Sequence, residues 1–305
     1  MILVTAAFGN QGRLLIPRLA AAGKRVRAMR AAGDVEALKA LGATEAIRGD
    51  ASDPATIERA MEGVETVYHV GPSMHPREQA MGLAVVEAAE AAGVKHLVFS
   101  SVLHANIGDL IQHKIKLAIE ERVVLSKLNF TILQPTNYML PAWFKPVFRS
   151  GVFRLWWSLE RRQSLIALDD CADAAAKVIC EGSKHYGATY ELSSADCVTG
   201  FEIADTIARV TGQAVKAEEV AAEEFFFKHR QLPAVEARRA SGQSARPEDF
   251  AHELAVFRAI GECYGRHDFV GNPNVLTWLL GRKPMSVQEY VAKEYARFRA
   301  MGNSA

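Results

Sequence analysis

The sequence predicts an α/β fold: a doubly wound, mainly parallel sheet followed by a smaller, mostly helical C-terminal lobe. Two observations support this prediction. Short apolar runs rich in β-branched residues alternate with helical patterns through the first half of the 305 residues, as expected for right-handed βαβ units. Beyond Val220 the apolar residues recur mostly at helical spacing, which indicates a second, helical part.

Composition narrows the class of protein. The chain is 49% hydrophobic and 23% charged with a formal net charge of +1, which gives no electrostatic case for direct nucleic-acid binding. It has no apolar run of the roughly 20 residues that span a bilayer and no signal-peptide pattern. We therefore expect a cytoplasmic protein without membrane contact. The four cysteines lack C-x-x-C spacing, so we expect reduced thiols and no metal site.

The first strand-turn-helix unit is the most informative stretch. The run Ile2–Val4 leads to Gly9 and Gly12 and then into an amphipathic helix. Such a turn places a dinucleotide pyrophosphate on the helix amino end, where glycines allow close backbone approach. Ala6 stands where the usual fingerprint has its first glycine, and an ordinary surface turn is the alternative. The predicted cofactor contacts here are Thr5, Phe8, Gly9, Asn10, Gln11, Gly12 and Arg13.

The second predicted strand, Arg25–Arg30, bears on the choice of cofactor. It ends in Arg30, and no acidic residue precedes Asp34. An acid at this position binds the ribose 2′-hydroxyl of NAD, whereas an arginine accommodates a 2′-phosphate. We therefore favour NADP over NAD, with Arg30 on the phosphate and Arg13 assisting by charge. A solvated arginine at a strand end is the alternative.

Further strands and helices alternate as far as the middle of the chain. Strands are predicted at 44–50, 64–72 and 94–101, and helices at 35–41, from 52, at 78–92 and at 109–127. The carboxyl ends of parallel strands meet at one edge, where α/β sheets bind ligands. Asp50 lies at that edge. The other cofactor contacts predicted there are Ala51, Val70, Gly71, Ser100 and Pro135.

Several motifs together resemble the NmrA-like group of atypical short-chain dehydrogenase/reductases. They are found at residues 4–13, 49–50, 87–95, 100–101, 130–139 and 169–175. The resemblance implies a Rossmann domain over residues 1–135 that binds NADP(H) or NAD(H). It also implies a smaller lobe over 136–305 above the cleft, with segments near 164–198 returning to the sheet. Members of the group are either reductases or redox sensors that bind the nucleotide without turning it over.

The sequence departs from the group in three ways. Ala6 replaces a glycine, the second strand is one residue short before its arginine, and the tyrosine of Tyr-x-x-x-Lys is missing. Lys116 aligns with the family lysine, which implies contact with the nicotinamide ribose, but Gln112 stands four residues before it. His113 or Tyr138 would then have to supply a proton, unless the substrate needs little acid help. A surface role is the alternative for His113.

The sequence leaves the role of the C-terminal half open. The stretches 138–144 and 153–157 are rich in aromatic residues, among them Trp143, Phe153, Trp156 and Trp157. They indicate either the wall of an apolar substrate pocket or core and partner surface. A strand is predicted at 189–193, and helices at 200–208, 223–232, 250–264 and after 284; a mobile connection is predicted at 240–249 and a turn-rich segment at 265–273.

Two functions fit these patterns. The first is an NADPH-dependent reductase of a small apolar carbonyl, enone or quinone-like substrate, with Lys116, His113 and Tyr138 as catalytic candidates. The second is a non-catalytic NADP(H) sensor that binds a protein partner. Lys116 and the aromatic stretches favour the reductase, whereas the missing tyrosine favours the sensor. The sequence leaves open a homodimer or a protein partner.

Overall fold

The computed structural model describes residues 1–240 and 250–302. The strands in this part of the chain are β1 (Ile2–Val4), β2 (Val26–Arg30), β3 (Glu45–Arg48), β4 (Thr66–Val70), β5 (His96–Ser100), β6 (Asn129–Pro135), β7 (Asn137–Met139), β8 (Val152–Leu155), β9 (Gln163–Ala167), β10 (Ala188–Leu192), β11 (Cys197–Val198) and β12 (Lys216–Glu219).

The helices of the described residues flank and follow these strands. They are α1 (Gly12–Ala21), α2 (Glu36–Lys39), α3 (Pro54–Met61), α4 (Glu78–Ala91), α5 (Ile111–Val124), α6 (Pro141–Ser150), α7 (Leu168–Glu181), α8 (Gly200–Thr211), α9 (Ala222–Phe226), α10 (Leu232–Ala240), α11 (Ala251–Arg266), α12 (Asn274–Leu280) and α13 (Val287–Gly302). A short 3₁₀ helix (Gly182–His185) follows α7, and a π-helical turn (Phe227–Gln231) joins α9 to α10.

Seven strands form one sheet in the order β3-β2-β1-β4-β5-β6-β10. Every pairing within it is parallel. The chain extends the sheet in opposite directions from β1, so the strand order reverses between β1 and β4. Ligands of open α/β sheets bind in the crevice at such a reversal. The predicted fold class is confirmed.

Helices cover both faces of this sheet. One apolar layer joins Leu15 and Leu19 of α1 with Val178 of α7, and the other joins Val85 of α4 with Ile119 of α5. Covering both faces explains why β5 is buried at every position, since an all-parallel sheet must be shielded on both sides. Helix α5 packs on the sheet although its polar and apolar side chains are not segregated onto opposite faces.

The C-terminal lobe has its own core. Aromatic side chains from different elements pack together there, among them Phe144, Trp157, Phe226, Phe257 and Tyr290. Two small sheets, with the strand orders β11-β9-β7 and β12-β8, form part of this lobe. Of the segments expected to return to the large sheet, β10 joins it beside β6, whereas β9 and β11 belong to the small sheet.

Element boundaries differ from the sequence prediction mainly at the ends. The helix predicted at 109–127 spans only Ile111–Val124, and that predicted at 35–41 shortens to Glu36–Lys39. Residues 265 and 266, predicted to be turn, continue α11. The connection predicted at 240–249 lies outside the described residues except for residue 240, which ends α10.

We expect Gly12→Ala to destabilise the fold. A Cβ at Gly12 would lie 2.4 Å from the carbonyl oxygen of Ala7, and neither backbone can move without separating α1 from β1. Overpacking of this kind costs about 1–3 kcal/mol. The matched control is Gly265→Ala in α11, where a Cβ would meet nothing within 4 Å. Urea unfolding should give a lower midpoint for the Gly12 variant only; equal midpoints would contradict this packing.

Candidate cofactor and substrate site

A cavity of about 580 Å³ opens at the crevice between β1 and β4 and extends into the C-terminal lobe. The turn after β1 and the loop after β4 form one side. The other side is formed by β8, α6, α9, the π-helical turn and α11. Its described lining residues are Ala6, Gly9, Asn10, Gln11, Gly12, Val70, Gly71, Pro72, Ser73, Met74, Tyr138, Leu140, Ala142, Trp143, Pro146, Val147, Val152, Arg154, Leu155, Trp156, Phe225, His229, Arg230 and Phe257.

The turn after β1 has the shape of a phosphate-binding loop. Ala6, which replaces the usual first glycine, adopts a left-handed conformation with φ of 45°, and its carbonyl accepts a 2.8 Å hydrogen bond from the Gly9 N–H. No side chain caps the amino end of α1 among the described residues. Free N–H groups and the helix dipole at such an end favour an anion.

Two arginines enclose an aromatic ring beside this turn. The guanidinium carbons of Arg13 and Arg30 lie 3.8 and 4.0 Å from the centre of the Phe8 ring. Arg13 also donates to the Phe8 carbonyl, and Arg30 donates to the Asp34 carbonyl. The Nε of Arg30 is buried without a hydrogen-bond partner in the described part of the chain. The pair gives this end of the site the cationic character that a phosphate requires.

Gln11 links the turn to the floor of the cavity. Its side-chain amide donates to the hydroxyls of Ser100, at 3.0 Å, and Tyr138, at 2.8 Å. Its carbonyl oxygen accepts a hydrogen bond from the Tyr68 hydroxyl. Burial raises the pKa values of Tyr68 and Tyr138 well above their ordinary range. Both phenols are therefore protonated near neutral pH, and Tyr138 presents a neutral hydroxyl to the cavity.

Lys116 lies behind the cavity wall in a buried ion pair. Its Nζ is 2.8 Å from the Oε1 of Glu78, and the two side chains are 9% and 0% exposed. The ammonium also donates to the Ser100 carbonyl at 3.4 Å. The second carboxylate oxygen of Glu78 accepts from the Met74 N–H, and the carboxylate packs against Gly71. Glu78 thus connects the lysine to the loop after β4.

His113 is not brought to the cavity. It is fully buried, and its Nδ1 shares a 2.9 Å hydrogen bond with the His104 carbonyl. Burial lowers the pKa of His113 to about 4, so the ring is neutral near pH 7. The surface position considered from the sequence is therefore wrong, and the side chain lies outside the cavity lining.

The remaining predicted cofactor residues lie either beneath the cavity lining or away from it. The Thr5 hydroxyl accepts from the Val70 N–H at 3.0 Å and joins the ends of β1 and β4 beneath the lining. Asp50 accepts from the Ser52 N–H, which holds the pKa of its carboxyl below the usual range. Asp50, Ala51 and Pro135 lie outside the cavity lining.

The aromatic stretches contribute both to the wall of the cavity and to the core of the lobe. Trp143 and Trp156 line the cavity, whereas Phe153 and Trp157 are buried in the lobe core. The Trp156 ring lies 4.4 Å from the Phe225 ring, and the Phe225 ring lies 4.4 Å from the His229 ring. These rings form an aromatic wall opposite the glycine turn.

Sequence reasoning missed four residues of the site: Glu78, Arg154, His229 and Arg230. Glu78 opens α4 as an ordinary acidic residue in a first helical turn, which gave no sign of a buried ion pair. Arg154 lies within the aromatic stretch that the sequence did identify, so its position beside Trp156 was an available signal. His229 and Arg230 lie in the π-helical turn, a feature that no sequence pattern indicated.

Comparison with known proteins agrees with this fold. The chain belongs to the NmrA-like family, whose model matches residues 1–240, and this confirms the resemblance seen in its motifs. It is 30% identical over 228 residues to a (4-alkanoyl-5-oxo-2,5-dihydrofuran-3-yl)methyl phosphate reductase of Streptomyces griseus, covering 72% of this chain and 77% of the relative. It is 28% identical over 232 residues to quinone oxidoreductase 2 of Escherichia coli, with coverages of 74% and 79%.

Solved structures share the fold over nearly the whole chain. The triphenylmethane reductase of a Citrobacter species, crystallised with NADP(H), is 24% identical with a TM-score of 0.76, covering 96% of this chain and 99% of its own. The NADPH-dependent quinone oxidoreductase of Escherichia coli, crystallised with NADPH, is 23% identical with a TM-score of 0.77, covering 97% of this chain and 100% of its own.

None of the helices in residues 1–240 and 250–302 is both long and apolar enough to cross a membrane. No group of three or more His, Cys, Asp or Glu side chains in this part of the chain is placed to hold a metal ion.

We expect Lys116→Met to destabilise the protein by about 3–5 kcal/mol, because it leaves the Glu78 carboxylate buried without a cation. Adding Glu78→Gln should recover much of this loss, since both charges are then removed. The control is Lys95→Met, which breaks an ion pair with Glu65 whose side chains are 69% and 57% exposed; we expect little change there. Urea unfolding of Lys116→Met, Glu78→Gln, the double variant and the control measures the coupling, and additive effects would contradict a buried pair.

Proposed function

We propose that this protein is an NADP(H)-dependent reductase of a small, electron-poor aromatic or conjugated substrate, with quinone-like compounds as the first choice. The supporting observation is one continuous cavity of about 580 Å³ that runs from the glycine turn to Trp143 and Trp156. One end suits a dinucleotide and the other suits a flat apolar ring. The volume of this cavity leaves room for a reducible substrate beside the cofactor.

The cofactor assignment rests on the turn and on the relatives. The uncapped amino end of α1 fits a pyrophosphate, and the arginines around Phe8 fit a 2′-phosphate. The sequence-based choice of NADP(H) agrees with the cofactors named for the solved reductases of this fold. Bound NADPH supplies a hydride, so an acceptor also needs one proton from the protein or solvent to complete a two-electron reduction.

Tyr138 is the residue we assign to the acceptor oxygen. It lines the cavity, and Gln11 fixes its hydroxyl by donating to it at 2.8 Å. A phenol with a raised pKa is a weak acid, so it stabilises a developing oxyanion by hydrogen bonding better than it delivers a proton. A quinone asks less of a proton donor than a simple ketone does, and this fits a site without the usual tyrosine and lysine pair.

We assign Lys116 a positioning role. The Glu78 carboxylate compensates its charge, and its Nζ reaches the backbone carbonyl of Ser100. From there it supports the residue whose hydroxyl bonds Gln11. This differs from the direct ribose contact that the family resemblance implies.

We expect Arg30→Met to weaken NADPH binding roughly 10- to 100-fold while leaving NADH binding nearly unchanged. The reason is loss of a charge-assisted hydrogen bond to the 2′-phosphate. Arg25→Met is the control, because Arg25 lies at the opposite end of β2 and its side chain is 70% exposed. Calorimetric titration of both cofactors at low salt measures the effect. Equal weakening by the two variants would show that general charge, not a specific contact, sets the preference.

Replacing Tyr138 tests the catalytic assignment. We expect Tyr138→Phe to lower kcat for naphthoquinone about 10- to 100-fold with little change in NADPH affinity, because a hydrogen bond to the developing oxyanion is lost. Tyr68→Phe is the matched control: it removes a hydroxyl that also bonds Gln11 but does not line the cavity.

NADPH oxidation should be followed with quinones, enones and aldehydes. Equal losses of kcat in the two tyrosine variants would remove the assignment of Tyr138. If no acceptor on the panel is reduced while NADPH still binds, the non-catalytic sensor is the better description of the protein.

A further inference from the structure

The charges around the cavity are unevenly distributed. The turn after β1 and the loop after β4 contribute only neutral side chains to the lining, such as Asn10, Gln11 and Ser73. The lobe side contributes Arg154, His229 and Arg230. Among the described lining residues there is no aspartate or glutamate. The substrate end of the cavity is therefore cationic as well as aromatic.

The local structure brings these three side chains to one wall. The π-helical turn Phe227–Gln231 carries the neighbours His229 and Arg230, and both line the cavity. π-helical turns within helices are frequently found at functional sites. The Phe225 ring lies between those of Trp156 and His229 in tilted contacts, so the π-helical turn and its Arg230 border the aromatic wall.

Arg154 reaches the same wall from β8. Arg154 and His229 both line the cavity, and partial burial of the ring together with the charge of Arg154 lowers the pKa of His229. Arg154 pairs with Glu218 at 2.9 Å, and Arg230 pairs with Glu253 at 3.3 Å. A guanidinium has five N–H donors, and one carboxylate accepts at most a bidentate pair of them. Donor capacity therefore remains for a ligand.

We propose that the substrate is an aromatic or quinone-like compound that carries an anionic group, a carboxylate, sulfonate or phosphate, which Arg154 binds together with Arg230 and His229. This proposal rests on the reductase function proposed above and specifies its substrate class. The ring lies against Trp143 and Trp156, and the anionic group lies against the two arginines, with His229 as a further N–H donor. The cofactor phosphates are held separately, at the amino end of α1 and at Arg30.

The test compares naphthoquinone with its sulfonate in wild type and in Arg154→Met. Methionine keeps most of the apolar stem, and Glu218 retains Lys216 as an ion-pair partner at 2.9 Å. We expect kcat/KM for the sulfonate, divided by that for the neutral quinone, to fall roughly 10- to 100-fold, as for one lost charge-assisted hydrogen bond. The intrinsic difference in reactivity between the two quinones is the same in both proteins. It therefore cancels when the ratio for the variant is compared with the ratio for wild type.

Two further variants control for charge and folding. Arg161→Met removes an equal charge from an exposed position outside the cavity lining and should leave the ratio unchanged. Arg230→Met should lower the ratio in the same direction and gives a second reading if the Arg154 variant folds poorly. NADPH affinity should stay constant in all of these proteins.

Each outcome decides the proposal. A ratio that does not change in either cavity variant overturns it, as does an equal fall in Arg161→Met. A loss of NADPH affinity in Arg154→Met would assign the arginine to the cofactor instead. If neither quinone is reduced, quenching of tryptophan fluorescence by the sulfonate in the NADP-loaded protein decides. Quenching that weakens in Arg154→Met supports the anion site although the reductase function fails, and unaltered quenching overturns it.

Discussion

The close approach of α1 to β1 is the constraint on which the rest of the site depends. Gly12 lies against the backbone of Ala7 with no room for a side chain, so the helix begins directly over the carboxyl edge of the sheet. That position sends the Gln11 side chain to Ser100 on β5 and Tyr138 on β7. The glycine turn and the cavity floor are consequently one connected unit, and a shift of the helix would disturb both.

A second connection runs beneath the cavity through charge. The buried pair of Lys116 and Glu78 joins α5 to α4, and Glu78 also holds the Met74 backbone in the loop after β4. Breaking one partner of such a pair is far costlier than replacing both. The lysine thereby supports the loop after β4. In the function we propose, Tyr138 supplies a neutral hydroxyl group to the acceptor, which suits acceptors that are already electron-poor.

The two sides of the cavity come from different parts of the chain, and in the function we propose they bind different molecules. The sheet side offers backbone and neutral polar groups, which suit a cofactor common to many reductases. The lobe side offers aromatic rings and cations from β8, α6 and the π-helical turn, and Phe257 comes from α11, beyond the residues matched by the family model. Differences in substrate are expected to arise on the lobe side, because the cofactor side must keep its shape.

The sequence by itself determined the parallel sheet, the tight glycine turn after β1 and the helical lobe, because apolar periodicity and the spacing of Gly9 and Gly12 are local signals. Only the tertiary structure decided which distant side chains meet. It placed Lys116 beside Glu78 and buried His113 against a backbone carbonyl, and it brought Arg154 and His229 to one wall. These outcomes depend on how whole elements pack, and packing places residues far apart in the chain within bonding distance, which local patterns do not encode.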